Sequence, residues 1–562
     1  MGKGNRTRNN QYDAAYAMSG SGTATRRAQK KDNTASIVLI AIAALLVLSL
    51  ALVVFSDSGV KARSTVIAST ENFEITGTSI AYFEGVEYSN MFNEWYTTAY
   101  YYYSGGDAQQ AYSIAQSMMS NYPLSYFFDT ALETAQELLV LCEAALDKGL
   151  ALDGEDQAQI NEVIASIGGN YAANFGSGVK EKDVRAALEL QALASKFVTL
   201  YADETYDSLS DEDAKKYIEE HKADFYKAHV LKYAMSLKAA DYADDEEGFD
   251  AAKALVDTYT AKLEAATTVD EFRTAVVEYI VARDFDATAA AKIASNILPD
   301  EAGLETIKAQ VLETLVDVLV GGKEQAEVVY EAGSLEEGVS KVVEALKSTG
   351  STALAALETT QSYVEETEDE AIKTMINAET ALNTTATSTT ANDETYSRTV
   401  YMLTEALHVE YLDTVNAGHI LVSAAKSTAK QEELDAAKAK AEEILASYLA
   451  GEKTKDAFEK LGKANSSEST IFIDNIAEGD MVAEFNDWIY DEARQIGDTG
   501  IVQTDYGFHV MYWDGEGDLT SIASAKNGLV SDLYDAFIEE GKASITLNEK
   551  YIAKHSTATE TE

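Results

Sequence analysis

Gly497-Asp498-Thr499-Gly500-Ile501-Val502-Gln503-Thr504, running on into Asp505-Tyr506-Gly507-Phe508-His509-Val510-Met511, is the stretch that decides the fold. The first four residues read as a turn. Two short strands follow, IVQT at 501–504 and FHVMYW at 508–513, joined through Asp505-Tyr506-Gly507. A histidine sits inside the second strand, among apolar neighbours.

Upstream of this hairpin the pattern changes to helical. GDMVAEFNDWIYDEAR places Met481, Phe485, Trp488 and Ile489 on one face. Thr454 precedes KDAFEKL, a short helix using Phe458 and Leu461. In QEELDAAKAKAEEILASYLAG, the residues Leu434, Ala437, Ala441, Ile444, Tyr448 and Leu449 share a face, and Gly451 closes the helix. The unit opens with AGHILV at 417–422, a short apolar run with a histidine near its start. Strand, helix, helix, helix, strand, strand within 415–515 predicts a compact α+β domain.

This order, and these words, resemble the parvulin or PpiC-type peptidyl-prolyl isomerases. HILV after a small residue is similar to the family's first strand, and G-D-T-G-I-V-x-T-x-Y-G-F-H-V-M to its last elements. The resemblance implies that His419 and His509 meet within the sheet, and that Thr504 hydrogen-bonds to them. It implies an apolar pocket for the proline ring at Met481 and Phe485, and places Glu468 near the family's usual Asp or Cys. It calls for no cofactor and no metal. The bland alternative is that both histidines are satisfied core residues and that Met481 and Phe485 simply pack. One stretch departs from the family: its Gly-rich G-G-D-L-G segment is shortened here to STIFIDNIAEGDM, 469–481. The pocket leucine lies in the missing part, and Ile471 or Phe472 is the candidate replacement.

Working further outward, residues 66–225 read as a short strand and turn followed by helices, and resemble the helical chaperone segment of PrsA-like and SurA-like foldases. Ile160, Val163, Ile164 and Ile167 recur at helical spacing behind Asp153, and Val184 to Leu200 is amphipathic. Residues 520–554 are expected to complete this module with a helix and a strand at Ser544 to Leu547. The insert 226–400 reads as mainly helical, with a strand at Val230 to Leu237 and a loop at 384–393 (TTATSTTAND). AHVLKYAMSL in it resembles an opening parvulin strand, so the insert is read as a degenerate second unit plus linker. The aromatic run Tyr100 to Tyr103, with Phe92, Trp95 and Tyr96, serves either packing or an apolar groove for unfolded segments.

Residues 36–55, SIVLIAIAALLVLSLALVVF, carry no charge, glycine or proline. At 1.5 Å per residue this spans about 30 Å, the thickness of a bilayer's hydrocarbon core. The preceding tail, residues 1–35, is polar and reads as disordered; its Lys3, Arg6, Arg8, Arg26, Arg27, Lys30 and Lys31 outweigh Asp13 and Asp32. That asymmetry predicts a cytoplasmic N-terminus and an exported bulk, with one transmembrane helix.

The 562 residues suggest several domains, and 46% apolar content suffices for packed cores. Two prolines, Pro123 and Pro299, leave room for long helices. A formal charge of -50 argues against nucleic acid as a partner. The acidity either keeps the protein soluble or draws basic, unfolded clients or cations. The single cysteine, Cys142, lies in an apolar run and reads as a small buried hydrophobe. Six histidines, at 221, 229, 408, 419, 509 and 555, show no ligand spacing with it. The chain is expected to be an α+β membrane-anchored extracytoplasmic foldase that isomerises X–Pro bonds in exported polypeptides. A non-enzymatic chaperone with a vestigial parvulin domain is the competing reading. An adhesion or wall-binding protein would explain the anchor and acidity but not the motif order.

Overall fold

The computed structural model describes residues 65–283 and 358–556, apart from 177, 244, 277, 280, 281, 363–369, 378–380 and 393. The apolar stretch at 36–55 and its basic tail lie outside these residues. Among the described residues, no helix is long and apolar enough to cross a membrane. The chain divides into two units: one uses the chain up to Lys215 and from Leu412 onward, the other is Lys216–Tyr411.

The first unit begins with strands β1 (Val66–Ser69) and β2 (Glu74–Thr76). Helices α1 (Gly77–Thr98), α2 (Ala108–Met119), α3 (Leu124–Asp147), α4 (Gly154–Ile167) and α5 (Glu181–Ser208) follow. Local signals set their ends. Pro123 precedes α3, where a missing N–H costs nothing, and Asp153 caps α4 in a reciprocal box with Asp156. The core is built by Tyr82, Phe83, Phe128, Leu139, Val184 and Phe197, among others. Cys142 is fully buried in it, with its Sγ 3.3 Å from the Leu190 carbonyl oxygen.

The second unit carries a four-stranded antiparallel sheet. Its strands are β3 (Tyr226–Lys238), β4 (Glu358–Ser362), β5 (Thr385–Ala391) and β6 (Thr395–Val409), in the order β4-β3-β6-β5. Helix α6 (Glu246–Glu264) lies between β3 and β4 in sequence, and α7 (Glu370–Asn377) between β4 and β5. The described part of the insert thus joins helices to a sheet that the sequence indicated only at Val230 to Leu237, and the expected loop at 384–393 is corrected to a strand over Thr385–Ala391. Thr385–Ala391 contains no glycine or proline, and its β-branched threonines suit an edge strand paired to β6. Ser/Thr richness there was a strand signal rather than a turn signal.

From Leu412 the chain returns to the first unit. It forms β7 (Thr414–Ser423), α8 (Gln431–Ala450), α9 (Lys455–Asn465), β8 (Phe472–Ala477), α10 (Ala483–Ile489), β9 (Thr499–Gln503) and β10 (Gly507–Glu516). The sheet order is β8-β7-β10-β9, again antiparallel throughout. Helix α11 (Thr520–Lys542) and strand β11 (Thr546–Leu547) end the unit. Strand β11 pairs with β1, and Ile538 of α11 joins the core of α3 and α5, so the chain's end closes on its helical beginning.

A polar junction links this lobe to the helical module. The Tyr206 hydroxyl donates to Asp518 Oδ2 at 2.6 Å and accepts from Asn475 Nδ2 at 3.0 Å. Lys526, nearly buried, donates to the same Asp518 oxygen at 3.1 Å and lies 3.4 Å from Asp211. Asn475 accepts from the Asp518 N–H and takes a left-handed backbone (φ 53°) to do so. Part-buried polar groups satisfied in this manner favour one arrangement, because a partner lost leaves a partly desolvated group behind.

Candidate functional site

Side chains alternate across the β7–β10 pair, and this sorts the lobe into two faces. Ile420, Phe508, Val510 and Tyr512 point towards one apolar cluster with Phe458 of α9 and Ala441, Ile444 and Tyr448 of α8. Val415, Ala417 and Met511 point the other way, into a cluster with Phe485 and Ile489 of α10. His419 and His509 stand on this second face, two residues along from Ala417 and Met511. Pairing of His419 with Met511, and of Leu421 with His509, makes the histidines diagonal neighbours.

Their rings stack with centroids 5.3 Å apart and an interplanar angle of 25°. Nδ1 of one is 3.1 Å from Nδ1 of the other. Phe485 meets both edge-on, at 5.5 Å from His419 and 5.6 Å from His509. The Thr504 hydroxyl, fully buried, lies 3.0 Å from His509 Nε2 and accepts from the Tyr506 N–H. Glu468 Oε2 lies 3.4 Å from His419 Nε2. Burial holds both imidazoles down to about 4, and His509 beside it adds to the effect on His419, so both are neutral at pH 7.

The Glu468 carboxylate, 3.4 Å from His419 Nε2, favours a proton on that nitrogen, which leaves Nδ1 bare towards His509. His509 then donates from Nδ1 and accepts at Nε2 from Thr504, whose oxygen is free to accept from Tyr506.

Two glycines allow this arrangement. Gly507 (φ 148°) closes the turn in which Thr504 N–H donates to its carbonyl; a Cβ there would lie 2.3 Å from the Val422 carbonyl oxygen. Gly418 lets the Phe472 ring cross the strand, where a Cβ would approach it to 2.7 Å.

Six of the seven residues singled out from the sequence come together: His419, His509, Thr504, Glu468, Phe485 and, at the partly exposed margin, Met481. Phe472 does not. It packs with Phe458 and Tyr512 on the helix-covered face, and Ile471 joins it there. Ile473 faces the histidine side instead, opposite Ala417, alongside Trp488 and Trp513. Trp488 was expected on this face with Met481 and Phe485, whereas Ile473 and Trp513 were missed by sequence reasoning. Alternation along β8 separates Phe472 from Ile473, but only the register with β7 says which of them turns inward.

Residues 401–514 match the family model of the PPIC-type PPIASE domain. No curated protein matches the chain. The match opens within β6 and spans β7 to β10, with the histidine pair, Thr504 and Phe485 inside it. By this match, residues 401–514 belong to the parvulin, or PpiC-type, peptidyl-prolyl isomerase family.

Proposed function

We propose that the protein is a foldase that isomerises X–Pro bonds, with its site on the α10 face of the β7–β10 sheet. The observation carrying this reading is the stacked, neutral His419–His509 pair, locked by Thr504 and edged by Phe485, beside the partly exposed Met481. Rotation about a peptide bond faces a barrier of about 18–20 kcal/mol from C–N double-bond character. The twisted amide has lost that conjugation, so a catalyst need only favour it and exclude water. Met481 and Phe485 offer the apolar surface for the proline ring. The histidines are buried beneath Phe485 and orient the site without exchanging protons with the substrate.

The test is prolyl isomerisation of short X–Pro peptides by the full-length protein, beside its Met481→Ala and Phe485→Ala variants. Acceleration that both variants lose supports the assignment. No acceleration by a folded protein that still suppresses client aggregation would favour the non-enzymatic chaperone. Two observations speak for that second reading: Phe472 lines no part of the pocket, and Tyr101, Tyr102 and Tyr103 are 72%, 54% and 68% exposed on the π-helical turn Ala99–Tyr103.

We further propose that Lys216–Tyr411 is a degenerate parvulin unit. The order β4-β3-β6-β5 repeats β8-β7-β10-β9 strand for strand. Val230 on its opening strand clusters with Met375 and Ile376 of α7, much as His419 meets Phe485 of α10. Membrane anchoring through 36–55, with a cytoplasmic N-terminus, exported clients and an extracytoplasmic bulk, rests on the apolar run and the basic tail before it. Retention in the membrane fraction after alkaline extraction, lost on deleting 36–55, tests it.

A further inference from the structure

The insert sheet brings together side chains that lie far apart in sequence. His229 is on β3, and Glu405 and His408 are on β6. On a regular strand, residues three apart face opposite sides. Here β6 is irregular: the pairing runs from Lys227–His408 to His229–Glu405 and then to Val230–Leu403. Strand β6 thus carries an extra residue in each interval, two bulges flanking His229. Bulges re-aim side chains, and these turn Glu405 and His408 towards the same histidine.

The donor atoms of His229, Glu405 and His408 all lie within 4.8 Å of one another. Glu405 carboxylate oxygens are 3.8 Å from His229 Nε2 and 3.5 Å from His408 Nε2. Tetrahedral ligands around Zn2+, with bonds of about 2.0–2.2 Å, stand about 3.3 Å apart, so the gaps close with small rotations. His408 is already set for the task. Its Nδ1 lies 2.9 Å from the Ala406 carbonyl oxygen, which assigns the ring proton to Nδ1 and leaves the Nε2 lone pair facing Glu405. Metal-binding histidines are commonly oriented by such a backbone acceptor. Glu410 adds a second carboxylate, 3.2 Å from His229 Nε2 and 3.5 Å from Lys227 Nζ. Two carboxylates against one ammonium leave the cluster anionic around its imidazoles.

We propose that His229, His408 and Glu405, with Glu410 at the margin, bind a divalent transition-metal ion, Zn2+ foremost, which clips β6 to β3. Two imidazole nitrogens select Zn2+, Cu2+ or Ni2+ over Mg2+ and Ca2+, whose sites are built from oxygen. The ion fills the gap opened by the bulges, where the strands lack regular pairing. It lies outside the histidine pair of the isomerase lobe, and its role does not depend on isomerase activity.

The experiment is competition of the full-length protein against a chromogenic Zn2+ chelator. The comparison is with His229→Ala, His408→Ala and the double variant, each checked for folding by far-UV circular dichroism. His221→Ala and His555→Ala control for adventitious binding by other histidines. The expected result is one Zn2+ per chain and a thermal midpoint raised by Zn2+. Affinity in each of the two ligand variants should drop by more than the ~10–100-fold that loss of an outer partner costs. The control variants should bind as the parent does. Stoichiometric binding that survives in the double variant, or no saturable binding in the parent, overturns the proposal.

Discussion

Acidification should destabilise the C-terminal lobe through its two buried histidines. In the folded lobe both are held down to about 4, against an ordinary 6.5. In the unfolded chain each takes up a proton near pH 6.5. Between these values the unfolded state binds more protons than the folded one, so the free energy of unfolding rises with pH. The stabilisation is complete above pH 6.5 and is lost as the pH falls towards 4. A gap from 6.5 to about 4, at about 1.4 kcal/mol per pH unit, is worth about 3 kcal/mol for one ring. Protonating His419 at Nδ1 would set two N–H groups against each other at the 3.1 Å Nδ1···Nδ1 contact, and protonating His509 at Nε2 would remove the acceptor that faces the Thr504 hydroxyl. Histidine Cε1–Hε1 resonances of the full-length protein, followed from pH 8 to 4 and assigned with His419→Gln and His509→Gln, are the direct readout. Both resonances should hold their neutral positions through pH 6 and move only as the lobe opens. A reversible titration of either near 6.5 in the folded protein would refute the reasoning. In the same range the isomerisation rate should stay flat, because an orienting histidine changes nothing until it is charged.

Phe472→Ala should cost about 3–5 kcal/mol by hollowing the face beneath α8 and α9. Its denaturation midpoint should fall while the KM for an X–Pro peptide is unchanged; a raised KM at normal stability would return Phe472 to the pocket. Tyr206→Phe should cost about 1–3 kcal/mol, because Asp518 and Asn475 each lose a partner in a part-buried junction. Hydrogen exchange at the start of β7 would show it, and unchanged protection would deny the junction its role. The Cys142 thiol is pushed up to about 12, chiefly by burial, so a thiolate-directed reagent should label it only in denaturant. Stoichiometric labelling of the native protein would contradict its place in the core.

The C-terminal lobe was legible because its signals are local. Alternation in FHVMYW, the helical face of Met481 and Phe485 and the turn at Asp505-Tyr506-Gly507 each need only a few consecutive residues; that His419, His509, Thr504 and Glu468 meet was implied by the family resemblance and not by these local signals. Phe472 was misplaced because it and Ile473 are both apolar and adjacent, and their sidedness depends on a bulge in the β7–β8 pairing between Val415 and Ala417. The insert was harder for a related reason. Strands β3 and β6 pair across more than a hundred intervening residues, and the Ser/Thr-rich β5 owes its conformation to β6 rather than to its own composition. The cluster of His229, Glu405 and His408 had no sequence signature at all, since register shifts rather than spacing unite them.

The two sheets separate what a fold specifies from what a site requires. Strand order is set by backbone pairing, which is indifferent to most side chains, so β4-β3-β6-β5 and β8-β7-β10-β9 can coincide while their faces differ. In the C-terminal lobe, β7 and β10 pair without interruption from Gly507 to Trp513, and that continuity keeps His419 and His509 stacked on one face. In the insert, the corresponding strands are broken twice around His229, and an apolar Val230 lies against the short helix. A regular ladder can hold a dry, neutral histidine pair because each ring is backed by sheet on one side and by Phe485 on the other. A bulged ladder cannot exclude water from its histidines, and both rings there remain about a third exposed. The register, more than the presence of histidine on a strand, therefore decides whether this fold buries its strand histidines against an apolar helix or leaves them in a polar, partly exposed cluster.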